Sequence, residues 1–140
     1  HPAGEKHAAA AVVTTAEKVL AALQLSNEDP GLYVEPGVAS SSVRMTACSD
    51  SLGSATDEVF ATYDTGDTVP IGSVELGQLD DLADKLGATV TSSSQQSGEG
   101  VVPDARLLTM FLTEGDLVVT ITVRLEESGA FFFSVTSDCT

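Results

Sequence analysis

The stretch DLVVTITVRLE, residues 116–126, decides the fold class. Leu117, Val119, Ile121, Val123 and Leu125 occupy every second position, and Thr120, Thr122, Arg124 and Glu126 fall between them. Successive side chains of an extended chain point to opposite faces, so a period of two buries one face and leaves the other to water. That pattern belongs to an antiparallel sheet covered on one side. The neighbouring segments repeat it. ARLLTMFLT (105–113) reads as a strand, joined to the first by a two-residue connection at Glu114-Gly115. EESGA then turns the chain into a further strand over 130–137. ATVTSSSQ (88–95) is a short polar strand running into the Gly-containing tip SGEG.

Upstream the period changes to three and four. Across residues 3–25, Val12, Ala16, Val19, Leu20 and Leu23 share one helical face, and Glu5, Lys6, Glu17, Lys18 and Gln24 lie on the other. Residues 1–10 are expected to fray. SNEDPGLYVEPG (26–37) stops the helix, because Pro-Gly pairs with Asn and Asp favour turns. A strand follows at Val43–Ala47, and a second at 57–64, where Val59, Ala61 and Tyr63 alternate with Phe60 and Thr62. Residues 74–86 form another helix, with Ser73 as N-cap, Glu75 near the positive end and Gly87 at the stop. Its apolar face is Leu76, Leu79, Leu82, Ala83 and Leu86; Asp80, Asp81, Asp84 and Lys85 face water. The order α-β-β-α-β-β-β-β predicts an α+β two-layer sandwich, an antiparallel sheet with two helices on one face. Residues 1–140 make a single domain, with 42% hydrophobic residues to supply its core.

Charge narrows the function classes. The chain carries 21 Asp and Glu against 6 Lys and Arg, a net charge of −15. Nucleic-acid affinity comes from Lys and Arg neutralising phosphates, so nucleic acid is excluded as a partner. An anionic lipid surface repels the chain for the same reason. Strong like charge predicts a soluble monomer; carboxylates that collect a cation or a basic partner are the alternative reading of the same acidity. No apolar run approaches the roughly 18 residues of a membrane span, so no transmembrane segment is expected in this chain. AAAAVV near the N-terminus lacks the basic flank of a signal peptide. The chain opens on His1 rather than Met, which leads to the expectation of a further segment upstream.

The two cysteines, Cys48 and Cys139, end the first and last expected strands. A bridge between them would close a loop of about 90 residues and contribute roughly 4–5 kcal/mol on the chain-entropy account. Two cysteines without a neighbouring histidine make no structural zinc site, and the Cys-x-x-Cys spacing of a redox pair is missing. The reading is a structural disulfide; two separate buried thiols, or a thiol with a chemical task, are the alternatives. A persistent disulfide implies an oxidising compartment.

A helix, a cysteine in TACSDSLG, a strand, an Ala/Leu/Asp-rich helix closing in LADKLGATVT, hairpins and a terminal VTSDC together resemble the small secreted proteins and lipoproteins of unknown function of actinobacteria. The likeness runs from about residue 10 onward and rests on layout and cysteine placement. It implies pairing of the early and terminal cysteines and, upstream, a lipid-modified cysteine that tethers the domain to the outer face of the membrane. Ala88 stands where such proteins often have an aromatic residue. The likeness brings no functional site with it.

Among candidate sites the sharpest motif is YDTGDTV (63–69). Asp-Thr-Gly after a hydrophobic residue is how an aspartic protease presents its carboxylate, here Asp64, and two such groups sharing a proton do the chemistry. The late apolar run ending in Gly-Arg that accompanies it is missing from TMFLTEGD, and Asp, Thr and Gly are ordinary turn residues. Asp64, Asp67, Asp80, Asp81 and Asp84 gather around one loop and one helix, as calcium requires, with Asp64 and Asp67 the metal candidates; the alternating ligands and closing Glu of the twelve-residue calcium loop are missing. His1 and His7 read as a solvent-facing terminus. The serines at 40–42 and 92–94 have neither a Gly-x-Ser-x-Gly elbow nor a downstream histidine. Gly98 and Gly100 precede a strand, not a phosphate-binding helix. In Phe131-Phe132-Phe133 the middle ring must oppose the other two; core under a helix is its expected place, and an exposed contact point for a partner is the alternative.

No cofactor and no catalytic residue are expected. The functional expectation is an exported or lipid-anchored cell-envelope domain, a non-enzymatic module that binds an envelope protein or a small ligand. The alternative is a hydrolase with a carboxylate site around Asp64 and Asp67.

Overall fold

The computed structural model describes residues 2–25, 43–66 and 70–140. The turn segment 26–37, the serines 40–42, His1 and Asp67 lie outside them. The elements are α1 (Pro2–Ala22), β1 (Arg44–Ser49), β2 (Ala55–Asp64), α2 (Leu76–Leu86), β3 (Thr89–Gln96), β4 (Ala105–Glu114), β5 (Leu117–Glu126) and β6 (Phe131–Ser137). The six strands form one sheet in the order β1-β2-β6-β5-β4-β3, antiparallel throughout. Two helices on one side complete the expected α+β sandwich.

Three consecutive hairpins, β3 to β6, follow from the local alternation; the joint between β2 and β6 is made across the chain, Thr62 to Asp64 against Ser134 to Thr136. Helix α1 lies over β2, β6, β5 and β4. Its stripe Ala8, Ala11, Val12, Ala16, Val19 and Leu20 is buried, as is Leu23 just beyond its end, and the small alanines let the helix approach the sheet. The facing strands contribute Ile121 and Val123, Met110, Val135, Phe131 and Phe133. Fully burying each large apolar side chain is worth about 1.5–3 kcal/mol. The one buried hydroxyl of α1, on Thr15, donates back to the Ala11 carbonyl at 2.8 Å. Residues 2–10, expected to fray, are the first turns of α1, because Ala8 is part of that stripe. No helix among the described residues is long and apolar enough to cross a membrane.

Helix α2 starts two residues later than its predicted first residue, at Leu76, and its N-cap is Glu75, not Ser73. The cause is pairing upstream: Ser73 forms a bridge with Ala130, and the Val74 amide donates to the Gly129 carbonyl. The chain is therefore held extended through Val74. Glu75 and Gln78 then cap each other reciprocally. Leu79 and Leu82 are buried, and α2 packs beside α1. Gly87 ends the helix in the left-handed conformation, φ 68°. The β4–β5 hairpin turns at Gly115-Asp116, one residue beyond the expected Glu114-Gly115, since Glu114 pairs with Leu117 and Gly115 takes φ 66°.

Cys48 and Cys139 are joined in a disulfide, with Cα atoms 6.2 Å apart. The pairing register shifts between Ala47 and Ser49: their partners are Val59 and Ala55, so Cys48 alone stands opposite residues 56–58 and the bulge is in β2. Cys48, opposite that bulge, is buried although it falls between the alternating positions of Val43, Met45 and Ala47. On the other side of β2 the chain after β6 stays in the sheet: Val59 and Thr140 exchange two backbone hydrogen bonds at 2.9 and 3.0 Å. The bridge thus spans β2.

Candidate binding surfaces

The Asp-Thr-Gly motif ends β2 on the face away from the helices, with Asp64 opposite Ser134. Its Oδ1 accepts the Gly66 amide at 2.8 Å, a side-chain-closed turn. The Thr65 hydroxyl donates to the Phe133 carbonyl at 3.1 Å and accepts the Phe133 amide at 3.0 Å, so the threonine replaces a backbone rung as the chain leaves the ladder. The chain rejoins β6 at Ile71, whose amide donates to the Phe131 carbonyl.

Asp64 lines a recess of about 220 Å³ with Leu107, Thr122, Arg124, Phe132 and Ser134. Its cation is Arg124, which binds Glu126 at 2.7 Å and lies 4.7 Å from the centre of the Phe132 ring. Phe132 is buried as expected, but under this guanidinium rather than under a helix. The Arg124 Nε is buried without a hydrogen-bond partner. It is closed off from solvent, so a molecule in the recess cannot reach it.

Asp80, Asp81 and Asp84 stand on the exposed face of α2, and none of them lines the recess that holds Asp64. Among the described residues no three His, Cys, Asp or Glu side chains come together as metal ligands would. His7 has a role that spacing could not reveal: its Nε2 meets Asp116 Oδ1 at 2.5 Å in the β4–β5 turn. Lys18 reaches Glu114 in the same turn at 2.6 Å, so α1 is strapped to the hairpin at two points. The His7 hydrogen bond, then the backbone amide of Asp116, hold the Asp116 carboxyl below its ordinary range. Burial pushes the Tyr63 hydroxyl up.

The face away from the helices is a field of hydroxyls. One row across all six strands reads Thr89, Phe111, Thr120, Thr136, Thr62 and Arg44. A face of this kind suits water, and the bare reading is a solvated sheet.

The two sheet edges differ. β1 is short, starts with Arg44, pairs irregularly with β2 beyond Ala47 and is tied down by the disulfide. All of these are ways of closing an edge to further strands. β3 has eight residues, each exposed, and the run Ala88–Gly98 contains no charge and no proline. Its only interruption is a bulge at Thr91, between the pairs Val90–Met110 and Ser92–Thr109. From Ser92 to Gln96 the register is regular, and Arg106 steadies it by donating to Ser93 Oγ at 3.2 and 3.3 Å. Alternate backbone groups along that stretch face outward, and among the described residues no strand meets them.

Beneath the C-terminal end of β3, on the helix side, lies a groove of about 520 Å³. Gln95 forms its wall at the edge, Arg106 and Leu125 its floor, and Glu75, Asp104 and Glu127 its rim. The sequence identified Asp64 but not this rim, whose carboxylates come from three separate connections. No family model, curated protein or solved structure matches the chain.

Proposed function

We propose that the chain is a non-enzymatic binding module of the cell envelope, exported or lipid-anchored, that engages another protein. The observation carrying this reading is the edge of β3, open among the described residues: a long, uncharged strand, regular from Ser92 to Gln96, whose outward backbone groups meet no described strand, whereas β1 closes the other edge. Addition of a strand to such an edge is a standard mode of recognition, in which backbone hydrogen bonds supply affinity. The disulfide supports an extracytoplasmic location. The hydrolase alternative draws no comparable support, since Asp64 shares its recess with Arg124 and uses one oxygen to hold the Gly66 amide.

The test places a photo-crosslinker at Ser94 on β3 or at Asp81 on α2 and exposes the oxidised domain to envelope extract. A discrete partner is expected from Ser94 and not from Asp81. Proline variants sharpen the result. Neighbouring residues of a strand direct their amides to opposite sides, so one of Ser93→Pro and Ser94→Pro spares the β4 ladder and blocks the open edge. The variant that keeps its stability must lose the crosslink, whereas Asp64→Asn must keep it. Equal capture from both positions, or capture that survives the folded proline variant, removes the edge as the binding element.

A further inference from the structure

We infer that the occupant of the β3 edge is an extended segment of a partner protein carrying basic side chains, docked as a seventh strand with a lysine or arginine in the groove under Gln95. This rests on the binding-module reading and adds the chemistry of the partner. Register locates the contact. Gln95 pairs with Arg106, and Arg106 with Leu125 of the core, so all three lie on the helix side of the sheet. A strand added beyond β3 sits about 4.8 Å away, and its residue opposite Gln95 turns its side chain to that same side.

The groove has the charge to receive a cation. Glu75, Asp104 and Glu127 surround it, against the single guanidinium of Arg106. Among the described residues, none of the three carboxylates is ion-paired. Their hydrogen bonds are to amides, Asp104 to Gly98 at 2.6 Å and Glu75 within its helix cap, which leaves their charge uncompensated. Leu76, 50% exposed, gives the stem of a long basic side chain an apolar surface. A second copy of this chain is the poorer occupant, because edge-to-edge pairing would bring two chains of −15 together and place groove beside groove. The uncharged β3 imposes no penalty of its own on a charged neighbour.

The experiment uses the full oxidised chain and two short synthetic peptides, one alternating lysine with valine and one alternating glutamate with valine, at about 0.15 M salt, where long-range attraction is screened. Binding is read by fluorescence anisotropy, and its place by amide hydrogen exchange. The lysine peptide is expected to bind and to slow exchange within Ser92–Gln96. The triple variant Glu75→Gln, Asp104→Asn, Glu127→Gln keeps the local hydrogen-bond acceptors and is expected to weaken it roughly tenfold. The folded proline variant abolishes the protection. If the glutamate peptide protects β3 equally, the basic partner is wrong and the binding module stands. If the lysine peptide binds without protecting β3, it is held by general acidity and the inference falls. Concentration-dependent protection without any peptide makes a second copy the occupant and overturns it. If neither peptide nor self-association protects β3, both the inference and the edge-based reading fail.

Discussion

At the residue scale, the contacts that matter most are those between groups far apart in the chain. His7 and Asp116 are 109 residues apart, and their contact fixes the start of α1 on a hairpin turn. Because the Asp116 carboxyl titrates lower when folded than when unfolded, the folded state binds fewer protons. Its contribution is present above the ordinary carboxylate value of about 3.9 and is lost as pH falls through the lowered one. Comparing urea midpoints of the wild type and Asp116→Asn tests this: the wild-type advantage should shrink steadily from about pH 5 to about pH 2. His7→Ala should flatten the same acid limb. An unchanged difference across that range would remove the pair from the stability of the fold.

At the element scale, one substitution has opposite signs at the two ends of α2. Gly87 sits at φ 68°, and a methyl group added there would meet nothing within 4 Å, so alanine encounters backbone strain alone. Gly87→Ala should cost about 1 kcal/mol. Gly77 lies in the first turn, also with open space and with no positive φ. Gly77→Ala should gain about 0.5 kcal/mol by narrowing the unfolded ensemble. Thermal or urea unfolding of both variants checks the pair, and equal signs would contradict the cap. The elements themselves were legible because each has a clear period: Leu117 to Leu125 at two, Val12 to Leu23 at three and four. The Glu75 cap was not legible, because it depends on Ser73 pairing with Ala130, far along the chain beyond three intervening strands.

At the scale of the whole molecule, the order of strands could not be read from sequence. Hairpins are local, but the β2–β6 joint is not, and only that joint makes β3 an edge. The same holds for the candidate sites. Asp64 was visible as part of a motif, whereas the groove rim assembles from three connections that only the completed sheet brings together. The cysteine pairing was legible from composition, though the bulge of β2 opposite Cys48 was not. Replacing both cysteines with serine should lower stability by roughly 4 kcal/mol, as measured by urea unfolding, and reduction of the wild type should match it. A loss below about 1 kcal/mol would mean that the unfolded chain is already compact without the bridge.

The bridge also determines how this domain carries load. Cys48 and Cys139 are 91 positions apart. A pull applied to the chain on either side of that closed ring passes through the sulfur atoms and bypasses everything between them. α1 and most of β1 lie outside the ring and can be drawn out, whereas β2 to β6, including the open edge, lie within it. Tension between the two ends of the chain therefore leaves β3 and its groove outside its line.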